Sequence, residues 1–368
     1  MDYPYGLTVW IRTLTVNGVT NRTALISGAS VAGPSLAYFL HRSGYDVTVV
    51  ERAAKVRDSG YAVDFRGAAF DVLDEMGILN EIRDQNTRMR GVTQVDDSGV
   101  AIGHLSAETF SGELEIPKRH LTRILHGVTA DDVEYVFGNS ITALVSDEAG
   151  VTVEFERGRA RRFDLVFGAD GIHSNVRRLA FGPDTEALRH LGMSVAAFSA
   201  ANRFGLDRSG LLHAGRDTMI YVCSTDNPDR VTVTMSFATD APDLDRLSRA
   251  RQHQAVRRAF AGYRWEVPHM LEAMSRADDF YFISISQIHL NRWSQGRIAL
   301  LGDAGYCAAP TSGMGTSQAL IGARTLARQL ATTNGDHETA FAAYEGQLRP
   351  YIADNQKRGL EAARRHVR

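Results

Sequence analysis

Two glycines and a small polar residue stand at a spacing that could hold a phosphate group. They are Gly28, Ser30 and Gly33 in the stretch GASVAGPSLA, which follows the apolar run TALIS and opens a helical pattern. The first glycine permits a tight turn, the small residue lets a pyrophosphate approach the backbone, and the last glycine lets helix and strand pack closely. Since the N-terminus of a helix offers free N–H groups to an anion, this stretch is typical of a dinucleotide-binding turn.

An acidic residue supports the same interpretation. Glu51 ends the β-branched stretch DVTVVE, where a carboxylate would hydrogen-bond the ribose hydroxyls of an adenosine, and Arg52 follows it. Ser30, however, replaces the second glycine of the usual pattern, and its Cβ would crowd the phosphate slightly. These residues alone leave two alternatives open, a nucleotide site and a plain strand–turn–helix unit.

Two later segments repeat the arrangement of a buried strand that runs into an acidic residue. The stretch FDLVFGADGIHSNVRR contains Asp170, and the stretch RIALLGDAGYCAAPTSGMGTSQAL contains Gly302 and Asp303. Either aspartate taken singly is equally well explained by capping of the helix that follows. The three segments together are more specific than any one of them.

In this order the three segments resemble the fingerprints of the class A flavoprotein monooxygenases of the para-hydroxybenzoate hydroxylase type. Those fingerprints are an N-terminal GxGxxG, a mid-chain DG and a later GD. The resemblance extends to ERAAKVRDSGYAVDFRG, EIPKRHLTRIL and YEGQLRPYIADNQ, and so covers roughly residues 22–358. The stretch 51–66 is most similar to the single-chain bacterial branch that acts on polycyclic aromatic or tetracycline-like polyketides.

The resemblance implies that the three segments bind FAD. Asp303 would bind the ribityl hydroxyls, Asp170 would lie near the pyrophosphate, and the loop after Asp303 would run beside the isoalloxazine ring. Glycines in that loop would let backbone N–H groups face the flavin, because a side chain there would block the approach. Asp64 and Arg66 would lie at the edge of the flavin. The implied cofactor-binding residues are Gly28, Ser30, Ala32, Gly33, Glu51, Arg52, Asp64, Lys118, Asp170, Gly302, Asp303, Pro310, Gly313, Met314 and Gly315.

The implied activity is that of an FAD-dependent monooxygenase. NAD(P)H would reduce the flavin, O2 would add to give a flavin hydroperoxide, and its terminal oxygen would pass to an aromatic or polyketide-type small molecule. No side chain is expected to act as a catalytic residue. Three alternatives stay open, namely epoxidation or Baeyer–Villiger insertion, a flavin reductase or dehydrogenase without oxygen insertion, and a non-enzymatic flavoprotein that sequesters a ligand.

Three positions depart from the residues that the family usually has. Tyr306 stands where the family has histidine, and Gly322 stands where it has aspartate. Lys118 stands where an arginine is frequent, with Arg119 and Arg123 as nearby substitutes. We expect these departures to change details of the flavin contacts and not the cofactor itself.

The elements that must position these residues indicate an α/β fold. The resemblance implies a Rossmann-like FAD-binding domain that is interrupted by a β-sheet substrate domain and followed by C-terminal helices. Pro350 is expected to kink or restart the last helix. The expected boundaries are an N-terminal extension at 1–20, the FAD-binding domain at 21–90, 106–188 and 291–332, the substrate domain at 91–105 and 189–290, and the C-terminal helical region at 336–366.

The substrate is expected between the second sheet and the flavin loop. The stretches MSVAAFSA, TMIYVCST and RVTVTMSFAT are β-branched or aromatic and predict strands of that sheet. For each lining candidate, the alternative is that the side chain only fills the core. The candidates are Phe198, Met219, Met235 and Phe237.

Composition excludes several other classes of protein. The net charge of −2 does not indicate a basic surface, so nucleic acid is not an expected partner. Two cysteines and scattered histidines show no ligand spacing, so no metal site is expected. No apolar run is long enough to span a bilayer and the N-terminus is a poor signal peptide. We therefore expect a cytoplasmic protein that is a monomer or a weak homodimer.

Overall fold

The structure is a computed structural model that describes residues 22–56, 62–106 and 113–366. The N-terminal extension that the sequence predicts at 1–20 lies outside the described residues. Within the described residues the chain forms eighteen β-strands in four sheets, together with eleven α-helices. The α/β class expected from the sequence is confirmed.

The strands are, in chain order, β1 (Thr23–Ser27), β2 (Asp46–Glu51), β3 (Ala62–Phe65), β4 (Gly91–Val95), β5 (Ala101–Ser106), β6 (Leu114–Pro117), β7 (Glu134–Phe137), β8 (Ile141–Asp147), β9 (Gly150–Phe155), β10 (Arg161–Phe163), β11 (Leu165–Gly168), β12 (Leu188–Ala201), β13 (Gly210–Gly215), β14 (Thr218–Ser224), β15 (Arg230–Ala238), β16 (Tyr281–Ile288), β17 (Ser294–Gln295) and β18 (Ile298–Leu300).

The helices are, in chain order, α1 (Ala32–Arg42), α2 (Ala69–Glu75), α3 (Leu79–Asp84), α4 (Lys118–Gly127), α5 (Asn175–Ala180), α6 (Asp184–Ala187), α7 (Arg249–Ala259), α8 (Val267–Arg276), α9 (Asp303–Tyr306), α10 (Gly315–Thr332) and α11 (His337–His366). Two short 3-10 turns lie at Leu244–Arg246 and Pro310–Ser312.

A six-stranded sheet carries the three segments singled out in the sequence. Its order is β17-β18-β11-β1-β2-β7, and every neighbouring pair except β17 and β18 is parallel. Residues 24–26 of its central strand are fully buried. Continuous apolar burial of this kind is expected where helices cover both faces of a parallel sheet.

A seven-stranded sheet has the order β16-β12-β15-β14-β13-β4-β5. All its pairs are antiparallel except β13 with β4. The hairpin β4–β5 comes from an early stretch of the chain, whereas the other five strands come from residues 188–288. Helices α7 and α8 pack against one face of this sheet. A two-stranded ribbon, β3–β6, and a three-stranded sheet, β8–β9–β10, complete the strand architecture of the described residues.

The C-terminal helix differs from the expectation in one respect. Helix α11 runs from His337 to His366 with Pro350 inside it, so the proline does not restart the helix. A proline in a helix interior removes one backbone hydrogen bond. Packing of the helix holds it nevertheless, because Phe341, Tyr344 and Leu348 lie buried in the main core.

Candidate functional site

The parallel strands of the six-stranded sheet end at one common edge. Gly28 follows β1, Glu51 ends β2, Asp170 follows β11 and Asp303 follows β18. In open α/β sheets, ligands bind in the crevice outside the carboxyl ends of the strands. The sheet therefore brings together the three segments that lie far apart in the sequence.

The first turn depends on its two glycines for steric reasons. A Cβ atom built on Gly28 would lie 2.4 Å from the carbonyl oxygen of Ala169, and the φ angle of Gly28 is +109°. A Cβ atom on Gly33 would lie 1.8 Å from the carbonyl oxygen of Gly28. Only glycine lets α1 pack this closely on β1 and lets β1 lie against the DG segment. This geometry matches the roles expected for the first and last glycines.

Glu51, at the end of β2, hydrogen-bonds to the backbone of the first turn. Its Oε2 accepts a hydrogen bond of 2.9 Å from the backbone N–H of Ala29, and its Oε1 accepts one of 2.9 Å from the N–H of Ala53. No sequence pattern indicated these backbone partners. Each carboxylate oxygen has more than one acceptor site, and contact with a ribose hydroxyl stays a prediction.

Asp170 accepts hydrogen bonds mostly from its own segment. Its carboxylate accepts from Ser174 Oγ at 2.5 Å and from the N–H groups of Asn175 and Val176 at 2.8 and 3.1 Å. A longer contact of 3.4 Å reaches Ser27 Oγ on β1. Burial raises the pKa of this carboxyl. Asp170 thus caps α5 and ties it to β1, and contact with a pyrophosphate stays a prediction.

The first and last segments meet at Gly302. A Cβ atom on Gly302 would lie 3.2 Å from the Cβ of Ala32, at the start of α1, and 3.8 Å from the Cβ of Ala319 on α10. Asp303 follows at the start of α9 and is exposed, while its neighbours Gly302 and Ala304 are buried. An exposed carboxylate between buried residues can accept hydrogen bonds from polar groups of a ligand.

Two helix N-termini belong to the same region. Neither α1 nor α10 has a side-chain hydrogen bond at its N-cap or an acidic residue in its first turn. Their first backbone N–H groups have no intrahelical acceptor, and each helix carries about half a positive charge there. Both ends can therefore receive an anionic or carbonyl oxygen of a ligand.

The loop before α10 is held from two sides. Ala309 adopts a φ angle of +70°, a conformation that costs a non-glycine residue on the order of 1–3 kcal/mol. Gln287 of β16 donates to the carbonyl oxygen of Ala308 at 3.2 Å, and Thr311 donates to that of Gly359 on α11 at 2.8 Å. The seven-stranded sheet and the C-terminal helix together fix this loop.

The β3–β6 ribbon reaches the same loop. Asp64 and Arg66 form a salt bridge in which both Nε and Nη2 lie 2.6 Å from Oδ2. A Cβ atom on Gly313 would lie 3.9 Å from this pair, and the N–H of Arg66 donates to Ser317 Oγ on α10 at 3.1 Å. The structure places Asp64 beside the loop that the sequence assigned to the flavin.

These features fit FAD. The glycine cradle, the uncapped helix ends and the exposed Asp303 offer N–H donors for phosphates and a carboxylate for hydroxyls. The remaining candidates lie around them. Ser30 and Lys118 are half-buried, Arg52 and Pro310 are exposed, Met314 is buried, and Gly315 has open space at its Cβ position.

The seven-stranded sheet has one covered face and one partly open face. Along β14 and β15 buried residues alternate with half-buried ones. Phe198, Met235 and Phe237 belong to the covered face and pack in the core beneath α7 and α8. These three were candidates for the substrate side, and the structure places them in the core instead. The residue types of the strands could not distinguish the two faces of the sheet, because both faces carry large apolar residues.

Met219 lies on the other face, where the flavin loop is. Val195 of β12 and Ile283 of β16 are cross-strand partners that pack against the buried cluster containing Ala309, whereas Ala196 and Phe282 next to them belong to the core beneath α7 and α8. The open face of β14 therefore carries Met219, Tyr221 and Cys223. The last two were missed in the sequence, although strict alternation from Met219 would have indicated them.

Tyr306 and Gly322, two positions that depart from the usual residues of the family, are in contact with each other. A Cβ atom on Gly322 would lie 2.2 Å from the Tyr306 hydroxyl oxygen. Tyr306 is buried, and the Tyr344 hydroxyl lies 3.0 Å from its hydroxyl and donates to the Leu300 carbonyl oxygen at 3.1 Å. Burial raises the pKa of Tyr306 to about 12. The larger side chain at 306 thus requires the absence of one at 322.

A buried arginine links the DG and GD segments. Arg177 is fully buried and donates to the carbonyl oxygens of Ala304 and Ile172 at 2.8 and 2.6 Å, and to Asp184 at 2.6 Å. Burial alone would raise the pKa of Asp184, but hydrogen bonds and charge from Arg177, and then from Arg246, lower it. This network fixes the backbone next to Asp303.

Neither a metal-binding cluster nor a membrane-spanning helix occurs in the described residues. Residues 22–56, 62–106 and 113–366 contain no group of three or more His, Cys, Asp or Glu side chains that could hold a metal ion. Over the same ranges no helix is both long and apolar enough to cross a membrane.

Comparison with known proteins gives a consistent result. Residues 21–355 match the family described as FAD binding domain. A flavin-dependent monooxygenase of Legionella longbeachae is 37% identical over 92% of this chain and 88% of its own length. An uncharacterized protein of Mycobacterium tuberculosis is 41% identical over 91% of this chain and 92% of its own length.

Solved structures extend the similarity to the fold. The crystal structure of tetracycline destructase Tet(51) has a TM-score of 0.86 and 34% identity, and it covers 95% of this chain and 92% of its own. That of tetracycline destructase Tet(55) has a TM-score of 0.87 and 35% identity, covering 93% and 89% respectively.

Proposed function

The chain belongs to the FAD-binding family of flavin-dependent monooxygenases, and from this premise we propose that it hydroxylates an aromatic or polyketide-type small molecule. The family, the cofactor FAD and the use of NAD(P)H and O2, all expected from the sequence, are confirmed. The substrate class is the part that the proposal adds.

One observation carries the substrate class. The face of the seven-stranded sheet that α7 and α8 leave uncovered presents Met219, Tyr221 and Cys223 on the side of the flavin loop. A surface that combines apolar, aromatic and weakly polar groups suits a flat phenolic ring system. The similarity to two tetracycline destructases supports the same choice, since tetracycline is a polycyclic phenol.

The roles of the cofactor residues are part of the proposal. Bound FAD would take electrons from NAD(P)H and activate O2 for transfer to carbon. The first turn and the N-terminus of α1 would hold the diphosphate, Asp303 would hold ribityl hydroxyls, and the N-terminus of α10 would face the ring. The Asp64–Arg66 pair would close the edge of the site and exclude water. The chain contributes orientation and a dry site and needs no side-chain nucleophile.

Domain division, assembly and location complete the proposal. The six-stranded and seven-stranded sheets would form the cofactor and substrate domains. Apart from Val100 and Ile102, the large exposed apolar residues of the described chain lie far apart in the sequence, as at Val145 and Leu247, which supports a monomer or a weak homodimer. Cys223 and Cys307 are both free thiols, in keeping with a reducing cytoplasm.

Three measurements test the function. Purified protein should show the visible spectrum of bound flavin, and polycyclic phenols should stimulate its oxidation of NAD(P)H. Under labelled O2, the product should contain one labelled oxygen atom in a new hydroxyl group. A label in an epoxide or a ring-expanded ester would favour the alternative oxygen insertions, and stimulated oxidation without any label would favour a reductase. A protein that takes up no flavin would refute the proposal.

A further inference from the structure

Two carboxylates stand directly opposite each other on the β3–β6 ribbon. Asp64 and Glu115 are cross-strand partners in the register of this antiparallel pair. Partners in such a pair project to the same face, with Cβ atoms about 4.5–5.5 Å apart. The ribbon therefore presents two acidic groups side by side next to the flavin loop.

The surroundings of the two carboxylates differ. Asp64 is neutralised by Arg66 through two contacts of 2.6 Å. Within the described residues, no cationic side chain pairs with Glu115. Its Oε2 accepts one hydrogen bond, of 2.7 Å, from the Thr87 hydroxyl. The side chain is half-buried, and burial, followed by the nearby Asp64, raises its pKa. The other carboxylate oxygen, Oε1, can thus accept a hydrogen bond from a ligand at a partly buried position.

Several contacts place Glu115 at the end of β14. Thr87 also donates its backbone N–H to the Glu115 carbonyl oxygen, at 2.8 Å. Two residues on, Met89 Sδ accepts from Ser224 Oγ at 3.8 Å, at the C-terminus of β14. Arg119, four residues after Glu115, pairs with Asp226 just beyond that strand. The ribbon and the end of β14 are therefore in contact.

The open face of β14 faces this carboxylate. Burial raises the pKa of the Tyr221 hydroxyl, and the negative charge of Glu115 contributes to the increase. Burial and the charge of Glu115 also raise the pKa of the Cys223 thiol, to about 12. Both side chains are half-buried on the face that α7 and α8 leave uncovered. The contacts at Ser224 and Asp226 thus bring Glu115 to the end of the strand that carries Tyr221 and Cys223.

We propose that Glu115 determines substrate specificity by accepting a hydrogen bond, through Oε1, from the hydroxyl group of a phenolic substrate. The inference rests on the proposed function and deepens it. A ligand without that O–H would leave a partly buried carboxylate unpaired, and sites built to bond a hydroxyl discriminate strongly against analogues that lack one. Apolar and aromatic neighbours on β14 would hold the ring, and Glu115 would orient it.

The test compares a phenol with its methyl ether. The probes are 1-naphthol and 1-methoxynaphthalene, in which a methyl group replaces the hydroxyl proton, so that only the naphthol can donate a hydrogen bond. Binding is measured by quenching of intrinsic fluorescence, and turnover by stimulated NAD(P)H oxidation. The wild type should prefer 1-naphthol by about 10- to 100-fold, the range expected for a hydrogen bond to a charged group.

Three variants make the result specific. Glu115→Leu should lose the preference, and Glu115→Gln, which keeps a neutral acceptor, should show an intermediate one. Glu156→Leu removes an exposed glutamate at the end of β9 and should behave as the wild type. Thermal unfolding checks each variant, and Glu115→Gln keeps the test valid if the leucine variant does not fold.

The outcomes separate the two proposals. If naphthol and other phenols, tetracycline included, all fail to stimulate NAD(P)H oxidation, the proposed function fails. If they stimulate it and Glu115→Leu retains the wild-type preference for naphthol, only the role of Glu115 is overturned. A preference that falls in the order wild type, Gln, Leu supports the role.

Discussion

The two faces of the seven-stranded sheet are built from the same strands but have different environments. On β14, Ile220 and Val222 pack beneath α7 and α8, while Met219 and Tyr221, which alternate with them, lie on the partly open side. Met235 of β15 is fully buried in the covered face, and its cross-strand partner is Ile220. Residues one position apart thus belong to a core and to a proposed substrate surface.

This difference shows that residue type does not decide the role of a strand residue. Met219 and Met235 are chemically identical and lie on adjacent strands, yet they point in opposite directions. The cover provided by α7 and α8 makes one face a core. Substitutions that keep the residue type constant and change only the face are therefore the sharpest tests.

The largest effect is expected on the covered face. Met235→Ala should lower the free energy of unfolding by about 2–5 kcal/mol, because it leaves a cavity in a close-packed core. Met219→Ala, the matched change on the open face, should cost less than half as much. Chemical denaturation measures both. Equal losses for the two variants would contradict the difference between the faces.

The second largest loss of stability is expected at a buried position of α10. Gly322→Ala should lower the free energy of unfolding by about 1–3 kcal/mol through overpacking, since the added Cβ would overlap the Tyr306 hydroxyl. The same change made together with Tyr306→Phe should cost much less, because Tyr344 keeps its bond to the Leu300 carbonyl oxygen. Denaturation of the single and double variants gives the coupling, and additive costs would refute the explanation.

A smaller effect is expected on ligand binding at the open face. Met219→Ala should weaken binding of a stimulating phenol by about 3- to 10-fold, through loss of apolar contact area. Met235→Ala should leave the dissociation constant unchanged at a temperature where it is folded. Fluorescence titration of both variants measures this, and a loss confined to Met235→Ala would reverse the assignment of the faces.

The smallest effect concerns pH. The pKa of Glu115 is raised above its ordinary value of 4.5, chiefly by burial, so the folded state disfavours its ionised form. The stability of the wild type relative to Glu115→Gln should therefore be greatest below pH 4.5 and fall as the pH rises through the folded pKa. Denaturation of both proteins from pH 4 to 8 checks the sign. A difference that grows with pH would mean that the carboxylate is stabilised in the fold.

Much of the site could be predicted from the sequence, because its segments carry their own local signals. Gly28 and Gly33 follow from the spacing of a strand-to-helix turn, and Asp303 follows from a buried strand that ends in an acidic residue. The carboxyl ends of parallel strands meet at one edge, so the three loops had to lie together. The backbone partners of Glu51 and the pairing of Tyr306 with Gly322 had no local signal, since each contact joins distant segments.

The sequence by itself determined the family, the cofactor and the order of the cofactor loops, because those depend on short motifs whose geometry is local. It also determined that alternate residues of β14 and β15 point in opposite directions, since the side-chain period of a strand is two. Only the tertiary structure decided which direction is the core, and it placed Phe198, Met235 and Phe237 there. The physical reason is that the cover comes from α7 and α8, whose position depends on the packing of the whole sheet.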